Sequence, residues 1–421
     1  MNYQETLNYL YNSAPLFQHI GKAAYKEGLS NTYALDDHFR HPHQKFRTIH
    51  IAGTNGKGSC SHTLAAILQS AGYRTGLYTS PHLVDFRERI RINGTPVPQE
   101  FVVDFVKKHR RFFEPLHPSF FELATSMAFH YFAEEQVDVA IVEVGLGGRL
   151  DCTNIIHPDL CLITNISFDH VQFLGNTLAQ IASEKAGIIK DYVPVVIGET
   201  TPETRPVFEE KAWKAHAPLI FAEEEQLLKD ARQNADGTWT YQTSDYPDLQ
   251  GELGGYYQLK NTNTLLSAIR QLKQAGYSIS EANVREGFAH VCSLTGLMGR
   301  WQKLGSNPTI VCDTGHNTGG IRYIVEQLRN QTYDTLHIVI GMVNDKDISG
   351  VLAMLPKEAR YYFTQASVQR ALPAASHGLK GESYPDVATA LKAAQSEATE
   401  KDFIFVGGSS FIVADLLSLN K

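Results

Sequence analysis

The sequence predicts an α/β protein of two domains: an N-terminal doubly wound, mostly parallel sheet carrying a P-loop, and a smaller C-terminal Rossmann-like α/β domain. Three observations carry this expectation. The chain has 421 residues, more than one ordinary core organises. Short apolar runs ending in Gly, Asp, Asn or Ser alternate with helix-like stretches, as buried parallel strands joined by crossover helices do. Third, "HIAGTNGKGSCSHTLAAIL" (50–68) sets a glycine-rich turn between one such run and a helix.

The strand runs come in two series. The first is "RTIHIAG" (47–53), "YRTGLYTS" (73–80), "VDVAIVEVG" (137–145), "DLCLITNIS" (159–167) and "VPVVIG" (193–198). The second is "PTIVCDTG" (308–315), "LHIVIGMV" (336–343), "ARYYFTQA" (359–366) and "DFIFVGGS" (402–409). Helical patterns fall at 60–71, 121–135, 261–275 and 318–329. "ERIRINGTPVP" (88–98) instead alternates polar and apolar residues around Asn93-Gly94, a hairpin signal. The polar, Gly-containing stretch 222–258 reads as a small antiparallel excursion of the first domain. A fresh series of strands begins after "TGLMGRW", so the domains are expected at 1–297 and 298–421.

Composition excludes several classes. Hydrophobic residues make up 43% and charged residues 20%, with a net charge of -7, which argues against a broad nucleic-acid surface but not against a local anion site. Five scattered cysteines without a C-x-x-C pair suit reduced, buried thiols. No apolar run approaches the ~18 residues that span a bilayer. The first residues lack a basic stretch followed by an apolar one, so no secretory leader is expected and the cytoplasm is the expected address.

In the opening loop, Gly53, Gly56 and Gly58 let backbone N–H groups turn inward around an anion at a helix N-terminus. Lys57 reaches outer phosphates and Ser59 a magnesium ion. Gly58 separates Lys57 from Ser59, unlike the usual Walker order. The plain alternative is a Gly-rich turn with a solvent lysine. Glu143 ends an apolar strand on the edge where open parallel sheets bind ligands, either as a metal ligand or as partner of Arg149. Gly145, Gly147 and Gly148 follow it. Asp169 and His170 end the next strand, His170 being either a ligand or a satisfied core histidine. Ser80, in "TSPHL" (79–83), ends a third. Hydroxyl, carboxylate, imidazole, phosphate and water suit Mg²⁺. In the second series, Asp313, His316 and Asn317 follow one strand and Asp345, Lys346 and Asp347 the next. With Arg300, they would let a second domain close on a nucleotide bound to the first.

These strings resemble the folylpolyglutamate synthase/dihydrofolate synthase family, within the Mur-type ATP-dependent amide ligases. The matches are "GTNGKGS", "TSPHL", "ERIRING", "EVGLGGRLDCTN", "SFDH", "SEKAGIIK", "MGRWQ", "DTGHN", "GMVNDKD" and "GGSSFIVAD", in family order from about residue 20 to 415. The resemblance implies that Gly53, Asn55, Gly56, Lys57, Gly58 and Ser59 bind ATP, with Asn261, Arg300 and Asp313 as further nucleotide contacts. It implies Ser80, Glu143 and His170 as magnesium ligands, and a carbamylated lysine at Lys185, an ordinary helix-surface lysine being the alternative. Gly28, Ser30, Ser119, Phe120, Phe121 and Leu150 match substrate positions, although Phe120 and Phe121 also read as core. "GLSN" (28–31) departs from the family's usual residues, which leaves the acceptance of dihydropteroate beside reduced folates open.

The activity implied is ATP-dependent addition of L-glutamate to a folate carboxylate through an acyl phosphate, with Lys57, Lys185, Asp313 and His316 as catalytic candidates. The partners expected are small molecules (ATP, glutamate, and folate or dihydropteroate), with no nucleic acid, no membrane and a monomeric chain. Two competing readings stand beside it: a ligase acting on a UDP-muramoyl precursor, and a nucleotide switch or ATPase without an acyl substrate. A switch requires a bistable element driven by the γ-phosphate, and nothing beyond the loop points to one.

Overall fold

The structure, a computed structural model, describes residues 1–13, 28–344, 348–376 and 380–419. Asp345, Lys346 and Asp347 lie outside the described residues. The chain divides into two compact units: Met1–Glu252 with Gln258–Leu297, and Leu253–Tyr257 with Met298–Lys421.

The predicted fold class is borne out. The first unit holds strands β1 (Arg47–Ala52), β2 (Thr75–Tyr78), β3 (Ile90–Ile92), β4 (Thr95–Pro96), β5 (Val139–Glu143), β6 (Leu160–Ile163), β7 (Val195–Ile197) and β8 (Leu219–Phe221). Their order is β4-β3-β2-β5-β1-β6-β7-β8. The six from β2 to β8 in that order run parallel, while β3 and β4 run antiparallel at one edge. Residues of both parities are buried along β1, β5 and β6, so both faces of the sheet are covered and no polar alternation survives in these strands. Val102, Met127 and Phe132 of helices Gln99–Phe113 and Phe120–Glu134 close one apolar cluster with Ala140 and Val142 of β5. Ile181, Ala182 and Phe208 of helices Leu178–Ala186 and Arg205–Lys214 close another with Ile163 and Ile197.

The hairpin forms where Asn93-Gly94 predicts it: both residues have positive φ, 46° and 76°, which matches the twist of the flanking β3 and β4. The 222–258 stretch contains the antiparallel sheet of β9 (Leu228–Gln233), β10 (Trp239–Thr243) and β11 (Leu249–Gly251).

The second unit carries β12 (Gln302–Ser306), β13 (Thr309–Cys312), β14 (Leu336–Ile340), β15 (Arg360–Phe363), β16 (Glu382–Ser383) and β17 (Phe403–Gly407), ordered β12-β13-β17-β14-β15-β16. Only β12 is antiparallel to its neighbour. Its core gathers Ile321, Ile324 and Leu328 of helix Thr318–Arg329 with Ile338, Ile340 and Phe405. The short segment Leu253–Tyr257 is bound into this unit by Gln327, a fully buried amide that accepts from Tyr256 N at 2.8 Å and donates to Gly254 O at 2.8 Å.

Replacing Gln327 by Leu keeps volume but removes the partner of two main-chain groups. The expected loss is about 2–4 kcal/mol of stability, read from urea unfolding. Unchanged stability would contradict the role given to this amide.

Candidate active site at the strand ends

The glycine-rich loop leaves the middle of the first sheet. Strand β1 pairs with β5 on one side, Ile51 opposite Glu143, and with β6 on the other, Ala52 opposite Ile163. The chain turns at Gly53 (φ 141°), reaches Gly56 in the left-handed region (φ 85°), and enters helix Lys57–Ser70. A Cβ on Gly53 would lie 1.9 Å from Thr164 Oγ1, and one on Gly56 would lie 2.3 Å from Asn261 Oδ1. Close approach, as well as backbone angle, therefore demands glycine at both.

Gly58 and Ser59 lie buried in the first helical turn. The extra glycine moves Ser59 deeper into the helix, where its hydroxyl accepts from Gln258 Nε2 at 3.1 Å. Asn261 donates to Gln258 Oε1 at 2.9 Å, so the helix Gln258–Gln274 supplies two amides to the rear of the loop. Lys57 folds back, its ammonium 3.1 Å from Gly53 O and 3.2 Å from Thr54 O. A cation thus sits over the loop beside the first-turn N–H groups, an arrangement that attracts phosphate.

The sheet order β2-β5-β1-β6 brings two of the candidate metal ligands, Ser80 and Glu143, to this same edge, whereas β6 ends at Ile163 and His170 stands further along the chain, before the short helix Val171–Leu174. Glu143 ends β5, is 3% exposed, and accepts from Ser80 N at 3.0 Å, just beyond β2. Arg149, its sequence-level alternative partner, pairs with Glu184 at 2.9 Å. His170 follows β6, holds a left-handed backbone (φ 49°), and its N–H donates to Asp169 Oδ1 at 2.8 Å. Its ring Nε2 lies 3.8 Å from the same carboxylate oxygen.

Lys185 is not a helix-surface lysine. It is 5% exposed in helix Leu178–Ala186. Burial, and then the positive charge of Lys57, lower its amine from 10.5 to about 7 against the opposing pull of Asp169 and Asp151. Asp151 is itself buried, which raises its carboxyl, although Leu146 N and Thr153 N donate to it at 2.8 and 3.0 Å.

The substrate candidates are placed unevenly. Ser119 caps helix Phe120–Glu134 in a reciprocal box with Glu122, and Phe120 is 2% exposed in the core. Both therefore have folding roles. Phe121 is half-buried, with its ring against Gly145, where a Cβ would meet it at 2.4 Å. Leu150 is half-buried, Gly28 has φ 100°, and Ser30 begins the helix Ser30–His38.

In the second unit Asp313 follows β13, is 2% exposed, and accepts from Tyr257 OH at 2.6 Å, Trp301 N at 2.7 Å and Gly315 N at 2.8 Å. Burial raises its carboxyl despite these donors and the Arg300 charge. Arg300 donates to Thr314 Oγ1, and His316 Nδ1 lies 2.9 Å from Thr314 O. Asn317 caps the next helix.

Sequence reasoning missed Thr164, Asn165, Ser167 and Gln258. Thr164 opens the segment after β6; Thr54 N donates to Asn165 O at 2.9 Å, Asn55 N to Asn165 Oδ1 at 3.0 Å and Ser167 N to Thr54 Oγ1 at 3.0 Å. The signal was available as a polar "TNIS" directly after an apolar strand adjacent to the loop's own.

The Lys185 amine sets a stability dependence. Between pH about 7 and 10.5 the unfolded chain holds the proton more tightly than the folded one, so folding stability rises with pH across that window. The contribution is complete above pH 10.5 and lost as pH falls to about 7. In CO2-free buffer the slope of unfolding free energy from pH 7 to 9 should exceed that of Lys185→Met by up to about 1.4 kcal/mol per pH unit. Equal slopes would contradict the burial of this amine.

Known proteins share this architecture. Residues 51–268 match the Mur ligase middle domain and residues 299–410 the Mur ligase glutamate ligase domain. The chain is 31% identical over 413 residues to a dihydrofolate synthase/folylpolyglutamate synthase of Bacillus subtilis (strain 168), across 94% of this chain and 95% of that one. A structure of Escherichia coli FolC in complex with DHPP and ADP superposes with a TM-score of 0.85 at 30% identity, over 100% of this chain and 98% of that one. A bifunctional folylpolyglutamate synthase/dihydrofolate synthase with Mn, AMPPNP and L-glutamate bound gives 0.83 at 30% identity, with 100% and 98% covered. Two matched domains and near-complete coverage above 30% identity lead to one conclusion: the chain belongs to the dihydrofolate synthase/folylpolyglutamate synthase family of Mur ligases.

Proposed function

We propose that this ATP-dependent acid–amino-acid ligase adds L-glutamate to reduced folates through an acyl phosphate, with dihydropteroate as a second acceptor. One observation carries the reading: the glycine-rich loop leaves β1 at the centre of the sheet, beside the end of β5, where Glu143 holds the backbone of Ser80 just beyond β2. Phosphate and carboxylate chemistry can therefore share one place.

In this reading Gly56, Lys57, Gly58 and Ser59 hold the ATP phosphates, with Gly53 and Asn55 shaping the loop. Asn261, Arg300 and Asp313 are assigned as further nucleotide contacts. A carboxylate is a poor electrophile, so its oxygen takes the γ-phosphoryl group and ADP departs. The glutamate amine then attacks the acyl carbon, phosphate leaves with the C–O bond, and the amine proton passes to a base, for which His316 is the candidate. The Lys57 ammonium offsets charge on the phosphoryl oxygens during transfer.

The side chains of Glu143, Ser80 and His170, a buried carboxylate, a hydroxyl and an imidazole, are of the chemistry a hard divalent cation takes. A magnesium ion held by them would supply charge neutralisation on phosphate oxygens. Lys185 is assigned as a carbamate. Carbamylation requires a neutral amine, and a lysine lowered to about 7 supplies one at neutral pH where a solvent lysine does not. The neutral amine forms an N–C bond to CO2 and loses one proton, so an uncharged group beside Lys57 becomes an anion. Phe121, Leu150, Gly28 and Ser30 are the remaining substrate candidates. The chain is proposed to work as a monomer in the cytoplasm; among the described residues no helix is long and apolar enough to cross a membrane.

The test incubates the chain with ATP, Mg²⁺ and glutamate together with tetrahydrofolate, dihydropteroate or a UDP-muramoyl peptide, and weighs the products. A glutamate increment on the folate is expected, whereas ATP turnover indifferent to every acceptor would overturn the reading. Lys57→Ala should lower product formation about a hundredfold or more while the fold stays intact. Native mass spectrometry in bicarbonate should show one CO2 on the wild type and none on Lys185→Met. No adduct would remove the carbamate from the scheme.

A further inference from the structure

We infer that Thr164 is a positioning residue for the phosphate loop, its hydroxyl fixing which of the loop's N–H groups can reach a bound phosphate. The inference rests on the nucleotide reading of the loop given above and adds a residue to it. Thr164 opens the segment after β6, is 3% exposed, and its own N–H donates to Ala52 O at 3.0 Å, continuing the pairing of β1 with β6 by one residue. That register brings its side chain under the turn. The hydroxyl donates to Asn55 O at 2.5 Å and stands where a Cβ of Gly53 would be.

The consequence for phosphate follows from counting donors along the loop. Thr54 N is taken by Asn165 O and Asn55 N by Asn165 Oδ1. Thr164 holds the Asn55 carbonyl from the other side of the same peptide chain, so the peptide joining Asn55 to Gly56 has its oxygen directed to Thr164. A trans peptide directs its N–H opposite to its oxygen. The Gly56 N–H is thereby turned away from Thr164. The loop's remaining free direction for an anion is set by Gly56 and the first helical turn, Lys57, Gly58 and Ser59, with the Thr54 and Asn55 amides withdrawn into scaffolding. This is how the "GTNGKGS" loop differs in use from a cradle in which every loop amide faces the ligand: two of its amides bind protein, and the segment after the neighbouring strand decides the orientation of the rest. Because the same segment runs on to Asp169 and His170, loop and candidate metal ligand are set by one piece of chain.

The hydroxyl and the methyl of Thr164 are separable. Thr164→Val keeps shape and loses the donor; Thr164→Ser keeps the donor and loses the methyl. The test reads Mg-ADP affinity by calorimetry, KM for ATP and kcat in the folate assay, and the melting temperature of each variant. Thr164→Val should weaken Mg-ADP binding and raise KM for ATP about tenfold, the worth of one buried hydrogen bond, with a smaller change in kcat; Thr164→Ser should stay within about twofold of wild type. Should Thr164→Val fail to fold, Thr164→Ala set against Thr164→Ser makes the same comparison, the alanine variant being the weak binder. Wild-type affinity in the variants lacking the hydroxyl, or equal weakening in the serine variant, would overturn the assignment. Failure of the nucleotide reading is distinguishable, since wild type itself would then bind no Mg-ADP.

Discussion

The register of one strand governs the site. Because β1 pairs with β5 and β6 so that Ile51 faces Glu143 and Ala52 faces Ile163, the glycine-rich loop emerges level with a buried carboxylate on one side and with Thr164 on the other. A shift of one residue in either pairing would send Glu143 or Thr164 to the wrong face, since side chains alternate along a strand. Gly53 and Gly56 are the places where the neighbouring segments press hardest on that loop. Parallel pairing, buried on both faces, thus does for chemistry what it does for stability: it fixes strand ends with little freedom.

Electrostatics at this edge are held by burial rather than by surface pairing. Glu143, Asp151 and Lys185 are each 5% exposed or less. Lys57 and Lys185 are close enough for the charge of one to lower the other. Burial and the neighbouring Lys57 charge both disfavour a second cation here, and the lowered Lys185 amine records that cost. Perturbed, buried ionisable groups of this kind gather at functional sites more often than elsewhere. The Asp313 carboxyl of the second unit is different: three donors already satisfy it, so it serves first as the anchor of the loop around Arg300 and Trp301.

Much of this was legible beforehand, for physical reasons. Apolar runs such as "VDVAIVEVG" are unambiguous when both faces of a strand are buried, and all nine runs became strands. Asn93-Gly94 specified its turn because few residue pairs adopt two consecutive positive φ values. What escaped were elements without such signals. β8 is three residues long, and β12 and β16 have little burial. Around the site, the residue types with costly chemistry were visible, whereas Thr164, Asn165 and Gln258 act by hydrogen bonds to backbone or hydroxyl groups across more than 100 residues. Ser119 and Phe120 show the reverse: a cap and a core ring look like site residues when read only by neighbourhood.

That ATP activates a carboxylate at this loop is tested most directly by following one oxygen atom. Folate carrying heavy oxygen in its terminal carboxylate is incubated with the wild-type chain, ATP, Mg²⁺ and glutamate, and the phosphate released is weighed. One labelled oxygen should move from the carboxylate into inorganic phosphate for each amide formed, because the acyl phosphate breaks at the acyl C–O bond. Amide formation that leaves all the label in the folate and in water would contradict it.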